Sequence, residues 1–127
     1  MFARVVFALA GLLGLGALVP LYQQAAGLLG PQPELYTYVG LIGTVAAWQV
    51  MFLLIAWRPV ELRVAMIPAV LEKLFWCVTL FVLYARGSIT SADLAGGTIP
   101  HGLLGVLFAV AYFRTSRRVT QAPPSPV

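Results

Sequence analysis

An acid and a base stand side by side inside an otherwise apolar stretch of this chain. Glu72 and Lys73 lie in the middle of residues 64–84, and the rest of that stretch is apolar enough to cross a lipid bilayer. Ionisable side chains are unfavourable in hydrocarbon, so they face the interior of a helix bundle and commonly mark a functional site. A buried carboxyl group there can exchange a proton, or it can hold the polar group of a ligand. The pair is therefore the first candidate for function.

Polar side chains on two other apolar stretches fall at related depths. A helix rises about 1.5 Å per residue. Gln49 therefore lies about 13 Å from Arg58, and Glu72 lies about 13 Å from Arg63. His101 lies about 20 Å from Arg114. In a hydrocarbon core about 30 Å thick, the first two lie near the midplane and His101 lies in the outer half. Trp76 follows Glu72 by one helical turn. We expect a shared polar pocket inside the bundle, formed by these four residues and Lys73.

The roles of these side chains have competing interpretations. Lys73 is rotated by about 100° from Glu72, which predicts that the two cannot point at the same centre. Lys73 would then pair sideways with Glu72, meet a second copy of the chain, or extend to the cytoplasmic headgroups. For Glu72 we favour a pocket or ion-coupling role, because a structural bond in a membrane contributes only about 0.6 kcal/mol on average. For Gln49 and His101 a structural role is favoured.

The composition indicates a membrane protein. Of 127 residues, 61% are hydrophobic and 9% are charged, against about 45–50% and about 25% in an ordinary soluble domain. The net charge of +4 is small, and the basic residues do not cluster with aromatic ones on a polar face, so we expect no nucleic-acid binding. The single cysteine, Cys77, excludes an internal disulfide, and the single histidine excludes a bis-histidine haem within one chain. We expect no metal or cofactor.

The apolar stretches predict an all-α membrane protein, with four transmembrane helices in an antiparallel bundle that makes up one domain over residues 1–119. Residues 120–127 form a proline-rich tail that we expect to be disordered. A cleaved signal peptide is an alternative for the first helix, with a small-residue site at 25–27. Residues 22–35 form the first connection, where prolines and glycines exclude a regular helix across the whole stretch. The predicted spans are 5–21, 38–57, 64–85 and 92–113.

Two helix limits have alternatives. If the third helix begins well before Pro68, the proline bends it; if the helix begins next to Pro68, the proline occupies the first turn, where it is tolerated. The fourth helix covers either 99–113 or 92–113. We prefer the longer helix, with Ser91 as its N-cap and Asp93 in its first turn.

Short connections and small residues predict how the helices pack. The tight connection after the second helix predicts that the second and third helices form a hairpin. Ala10 and Gly14 form a small-xxx-small pair in the first helix, where close packing is expected. The second helix presents a small-residue face to a neighbouring helix: Gly40, Gly43, Thr44 and Ala47.

The basic residues predict the orientation of the chain. With four spans, six arginines fall on one side and only Arg86 falls on the other. Because basic residues are enriched in cytoplasmic connections, both termini are expected in the cytoplasm. The six are Arg4, Arg58, Arg63, Arg114, Arg117 and Arg118.

Part of the sequence resembles a known group of proteins. Four runs carry the resemblance, over residues 47–49 (AWQ), 66–73 (MIPAVLEK), 83–84 (LY) and 102–108 (GLLGVLF). They resemble small bacterial four-span inner-membrane proteins that are similar in outline to DoxX-like membrane proteins. The resemblance implies a four-helix bundle in the bacterial cytoplasmic membrane and carries over no active site. An acidic residue often stands near position 101 in that group, so no role carries over to His101.

Three functions are consistent with these residues. The leading hypothesis is a non-enzymatic protein of the lipid bilayer that binds a lipophilic molecule or a partner membrane protein through the polar pocket, alone or as a homo-oligomer. The second is a small proton-coupled transporter that uses Glu72. It resembles small multidrug transporters in outline, although their essential acid lies in the first helix, where this chain has none. The third is a membrane-embedded enzyme with Glu72 and His101 as acid and base, which no nucleophile–base pair or phosphate loop supports.

Overall fold

The computed structural model of this chain describes residues 1–27 and 33–115, and within these ranges it is all-helical, with no strand. The four α-helices are α1 (Phe2–Gly27), α2 (Pro33–Trp57), α3 (Met66–Ala85) and α4 (Ser91–Arg114). A single turn of 3₁₀ helix, Arg63–Ala65, precedes α3. The predicted tail, the arginines at 117 and 118 and the centre of the first connection lie outside the described residues.

All four α-helices are long and apolar enough to cross a membrane. Their candidate spans contain 24, 23, 23 and 24 residues, with mean hydropathies of 2.2, 2.1, 1.9 and 1.6 in chain order. About 20 residues suffice for the hydrocarbon core. The predicted class, an all-α fold with four membrane-length helices, is confirmed.

The first two helices are longer than the sequence predicts. α1 continues to Gly27 with Pro20 inside it, and α2 already begins at Pro33, so both helices extend into the predicted connection at residues 22–35. Proline removes one backbone hydrogen bond, but an unwound segment would leave several unsatisfied groups in an apolar environment. A continuous helix through Pro20 is the more favourable arrangement. The small-residue site at 25–27 is the last part of α1.

The two open helix limits are resolved. α3 begins at Met66, so Pro68 occupies its first turn, and α4 takes the longer alternative. The N-cap of α4 is Thr90, so the prediction of Ser91 was wrong by one residue. Thr90 Oγ1 accepts from the Asp93 backbone N–H at 3.2 Å, and Asp93 Oδ2 accepts from the Thr90 N–H at 2.9 Å. This reciprocal capping box starts the helix.

The helices pack as two pairs. α1 packs mainly against α2 and α3 mainly against α4, while contacts between α1 and α4 join the pairs. α2 and α3 are neighbours in the chain but scarcely touch, so the predicted hairpin of these two helices was wrong. Glycines explain the pairing, because Gly14 allows α2 to approach α1, and Gly97 and Gly105 allow α3 to approach α4.

The predicted small-residue face of α2 is left largely uncovered by the other described helices. A Cβ built at Gly40 or Gly43 meets nothing within 4 Å, and Thr44 and Ala47 are exposed. Small residues allow two helices to approach closely. Between α1 and α2, the glycines at the contact are Gly11 and Gly14 of α1 and not those of α2.

Three buried phenylalanines close one end of the bundle, which we call the closed end. The rings of Phe7 and Phe108 stack at 4.3 Å, and the Phe52 ring meets that of Phe108 edge-on at 5.0 Å. All three side chains are fully buried. At the same end Arg63 donates from Nε to the Tyr112 carbonyl at 3.0 Å, which ties the start of α3 to the end of α4.

The opposite half of the bundle is held together differently. Its buried cluster, Leu18, Ala25 and Ile42, comes from α1 and α2 alone. Among the described buried residues of α3, Lys73 lies farthest from the closed end. Among those of α4, Phe108 lies farthest from it. The two pairs are therefore joined at the closed end and leave space between them beyond it.

Candidate functional site

A cavity of about 620 Å³ occupies the space between the two helix pairs. Its lining is overwhelmingly apolar, and α1 and α2 supply a long wall that extends from Val6 to Leu21 on α1. At about 1.5 Å per residue, that stretch of α1 is about 22 Å long. The volume lies within the range of about 300–1,000 Å³ that is typical of small-molecule sites.

The five residues that the sequence singles out all line this cavity. Gln49 enters from α2, Glu72, Lys73 and Trp76 enter from α3, and His101 enters from α4. They form one polar cluster in an apolar cavity, and we call these five residues the polar cluster. The structure places them together, while their part in binding stays a prediction.

Lys73 and Glu72 form an ion pair inside the protein. Lys73 Nζ lies 2.8 Å from Glu72 Oε2, and the two side chains are 5% and 23% exposed. The ammonium group also lies 5.2 Å from the centre of the Phe52 ring, where a cation is attracted to the ring face. Of the three placements open to Lys73, the sideways pair is the observed one.

The other two placements considered for Lys73 are not observed, and the prediction that Glu72 and Lys73 cannot point at the same centre was wrong. Its side chain is too buried to extend to the headgroups or to meet a second copy, and it lines the same cavity as Glu72. The rotation of about 100° fixes only where the Cβ atoms point. The lysine side chain is long and flexible, so its ammonium group can bend back to the carboxylate of the neighbouring Glu72.

The polar cluster contains buried atoms with unused hydrogen-bonding capacity. Within the described residues, neither Glu72 Oε2 nor His101 Nδ1 has a hydrogen-bond partner. The Lys73 ammonium group lies 2.8 Å from Oε2, so this oxygen is held in the ion pair. Both atoms have almost no accessible surface, so they are enclosed by the protein and do not face the cavity.

Trp76 positions His101 at the edge of the cluster. Their ring centres are 5.0 Å apart, at an interplanar angle of 30°. Trp76 lies one turn after Glu72 on α3, so this contact between tilted rings holds the α4 imidazole beside the carboxylate-bearing face of α3. The expected role of Trp76 as a wall of the pocket matches this placement.

Gln49 is the most structural member of the cluster. It is 4% exposed, and its Nε2 donates to the carbonyl of Val45 in its own helix at 3.3 Å. The rest of its side chain fills the space over Gly14 of α1. Its main contribution is to fix how α1 and α2 pack, in line with the structural interpretation.

The sequence did not predict the apolar wall of the cavity or the buried hydroxyl group of Thr98. Thr98 Oγ1 is buried on α4, again without a partner among the described residues, and the half-buried Cys77 has its Sγ 3.9 Å from the Thr98 carbonyl. The wall gave no signal because α1 is apolar on every side. The glycines at 11 and 14 were the available signal, since they mark where α2 approaches.

Residues 1–27 and 33–115 contain no group of three or more His, Cys, Asp or Glu side chains that could hold a metal ion.

Over the described residues, the fold and cavity define the class of this chain as an all-helical protein with four membrane-length helices and a partly open cavity between its two helix pairs. Comparisons with protein-family models, with curated proteins and with solved structures find no match for it. The similarity to DoxX-like proteins stays a prediction, and the function has to be inferred from the geometry of the site.

Proposed function

We propose that this chain is a multi-pass membrane protein that binds a lipophilic small molecule in the cavity between its two helix pairs. The observation that carries the proposal is the cavity itself, which joins a long apolar wall to a buried polar cluster. Ligand sites typically combine an apolar lining with a few polar groups that fix orientation. This cavity has that composition.

The outer surface supports a location in the membrane. Large apolar side chains outside the cavity are exposed on several helices, among them Leu12 at 59%, Phe75 at 65% and Leu103 at 59%. Soluble monomers rarely expose apolar patches of this extent, whereas lipid chains cover them. We place the chain in a bacterial inner membrane. The arginine distribution favours the orientation in which both termini are cytoplasmic.

A small molecule is favoured over a partner protein as the occupant. The polar cluster is recessed between four helices, where a flat protein surface does not reach, and Lys73 and Gln49 are both buried. The remaining wall is concave and apolar, which suits a lipophilic molecule that enters from the bilayer.

Proton-coupled transport is a weaker alternative. A coupling carboxyl group has to be free to bind and release its cargo, whereas this carboxylate is already paired with an ammonium group. Lys73 lies 2.8 Å from Glu72, and the three phenylalanines obstruct the route through the closed end. An enzyme is weaker still, since no nucleophile lies with a base in the polar cluster.

A variant that fills the cavity tests the proposal. Ala17 lines the apolar wall, so Ala17→Phe should occupy the binding space. Ala47 is exposed on α2 and does not line the cavity, so Ala47→Phe adds the same volume elsewhere and is the matched control. The proteins are purified from membranes in lipid nanodiscs, and bound lipophilic molecules are identified by mass spectrometry. We expect Ala17→Phe to lose most of the bound molecule and Ala47→Phe to retain it; equal amounts in both would refute the proposal.

A further inference from the structure

We infer that the ligand is a single-chain amphiphile that binds chain first. Its hydrocarbon chain lies along the α1–α2 wall, and its head group stays at the membrane surface beside Tyr38. This inference rests on the proposed function, because it specifies the class of molecule that the same cavity binds and the direction in which that molecule lies.

The closed end blocks one end of the cavity. Residues from all four helices are buried there, and the side chains of Phe7, Phe52 and Phe108 have no accessible surface. Packed protein interiors leave few voids as large as a water molecule, so a hydrocarbon chain does not pass between these rings. A ligand has to reach the cavity from the other side.

The half of the cavity away from the closed end is lined mainly by one helix pair. On α1 and α2 the lining extends to Leu21 and Tyr38, whereas it ends at Trp76 on α3 and at His101 on α4. α3 continues for nine residues beyond Trp76, and α4 begins ten residues before His101. None of these described residues lines the cavity, so the far part of the α1–α2 wall is left open to the surrounding lipid.

This open part, which we call the mouth, consists of Leu21, Tyr38 and Leu41 and lies near a membrane surface. Tyr38 precedes Arg58 of the closed end by twenty residues, which is about 30 Å along a helix and equals the thickness of the hydrocarbon core. Tyrosine rings favour this boundary between acyl chains and head groups. The mouth therefore opens into the leaflet at the opposite end from the three phenylalanines.

The polar cluster, which lies deeper than the mouth, is already paired within the protein. Lys73 Nζ lies 2.8 Å from Glu72 Oε2, and Gln49 donates to the Val45 carbonyl. Glu72 Oε2 and His101 Nδ1 are enclosed and are not presented to the cavity. A head group at this depth would give up its water for groups that already have partners, which is unfavourable. The head group is therefore assigned to the mouth and the chain to the interior.

The wall between the mouth and the polar cluster suits one extended chain. From Tyr38 to Gln49 it is eleven residues long, about 16 Å, and its lining there is apolar, with Ala17, Leu18 and Ile42 among its residues. The whole cavity, of about 620 Å³, has the size of a site for one small molecule. We therefore assign it one chain rather than the two chains of a phospholipid.

Quenching of tryptophan fluorescence by bromine tests the depth and the direction of the ligand. The probes are two isomers of lysophosphatidylcholine, one with bromine in the middle of its chain and one with bromine next to its head group. Nanodiscs of phosphatidylcholine supply a two-chain competitor in excess. The first reporter is Trp76, which lines the cavity. The full chain carrying Trp48→Phe and Trp57→Phe retains it as the last of three tryptophans.

Two further reporters are introduced into a chain in which all three tryptophans are replaced by phenylalanine. Tyr38→Trp reports on the mouth. Phe75→Trp is the matched control for Trp76, because Phe75 is the adjacent residue, is 65% exposed and does not line the cavity. It therefore reports on the probe that is dissolved in the surrounding bilayer.

We expect the mid-chain isomer to quench Trp76 saturably at a low mole fraction, and the head-group isomer to do the same at Tyr38→Trp. Quenching at Phe75→Trp should rise linearly with the mole fraction of either probe, since it reflects collisions in the bilayer. Ala17→Phe, which fills the wall, should remove most of the saturable quenching of Trp76, and Ala47→Phe should retain it.

The inference and the proposed function fail in different ways. Saturable quenching of Trp76 by the head-group isomer, without saturable quenching by the mid-chain isomer, would reverse the direction of the ligand and overturn the inference, while a lipophilic site would stand. Linear quenching by both isomers at every reporter would also overturn it, and the molecules that co-purify with Ala17→Phe and Ala47→Phe then decide the proposed function separately. The Trp76 measurement leaves the cavity lining unaltered, so it decides the direction even if another variant does not fold.

Discussion

Gly14 of α1 lies directly beneath the Gln49 side chain of α2, so closely that a Cβ atom at position 14 would overlap it. The second helix pair repeats this arrangement, because a Cβ at Gly105 of α4 would lie 3.3 Å from the Cβ of Lys73. In each pair, a glycine on one helix makes room for a polar cavity residue on the other. The glycines thus set both the helix spacing and the depth of the polar cluster.

Gly14→Ala should destabilise the bundle. The added methyl group must displace a buried Gln49 side chain, and overpacking of this kind typically costs about 1–3 kcal/mol. The measurement is the free energy of unfolding in detergent by denaturant titration. Gly16→Ala is the matched control, since a Cβ there meets nothing within 4 Å, and it should leave stability unchanged or slightly higher. Equal losses in both variants would contradict the proposed contact.

Glu72→Gln should be strongly destabilising because it leaves the Lys73 ammonium group buried without its counter-ion. Breaking a buried pair from one side typically costs about 3–5 kcal/mol, whereas replacing both partners by apolar residues is often neutral. Glu72→Leu with Lys73→Met should therefore recover most of the loss. The thermal unfolding midpoints of the three proteins provide the comparison.

The exposed pair of Arg58 and Glu61 is the control for this prediction. Its atoms are 3.2 Å apart, with side chains 52% and 67% exposed, and such pairs contribute about 0–1 kcal/mol. Glu61→Gln should barely change the midpoint. If Glu72→Gln were equally harmless, Lys73 would have another way of satisfying its charge.

The sequence was sufficient for the helices and for the polar cluster, but not for how the helices pair. Apolar stretches and depth along a helix can be counted from residues, which is why Gln49, Glu72 and His101 were expected together. The pairing was not predictable, because α1 and α2 are apolar on all sides and no polar face marks which surface turns outward. Pro20 misled the prediction of helix ends, since proline is tolerated within a helix surrounded by apolar groups.

Phe108→Ala should weaken the closed end more than any exposed aromatic substitution on α4. It removes the stacked contact with Phe7 and the edge contact with Phe52, and truncating a buried phenylalanine costs up to about 3–5 kcal/mol. Phe113→Ala is the matched control, because that side chain is 79% exposed. A similar fall in unfolding free energy for both would mean that the three rings do not hold the helix pairs together.

The proposed orientation makes a prediction about two connections. Arg58 and Arg63 flank the connection between α2 and α3, whereas Arg86 alone begins the one between α3 and α4. In a Cys77→Ser background, Ser88→Cys should react with a membrane-impermeant maleimide on intact cells, and Glu61→Cys should react only after permeabilisation. Both positions are exposed, so burial does not explain a difference between them. The reverse pattern would place both termini outside, and equal labelling of both on intact cells would indicate that the chain inserts in two orientations.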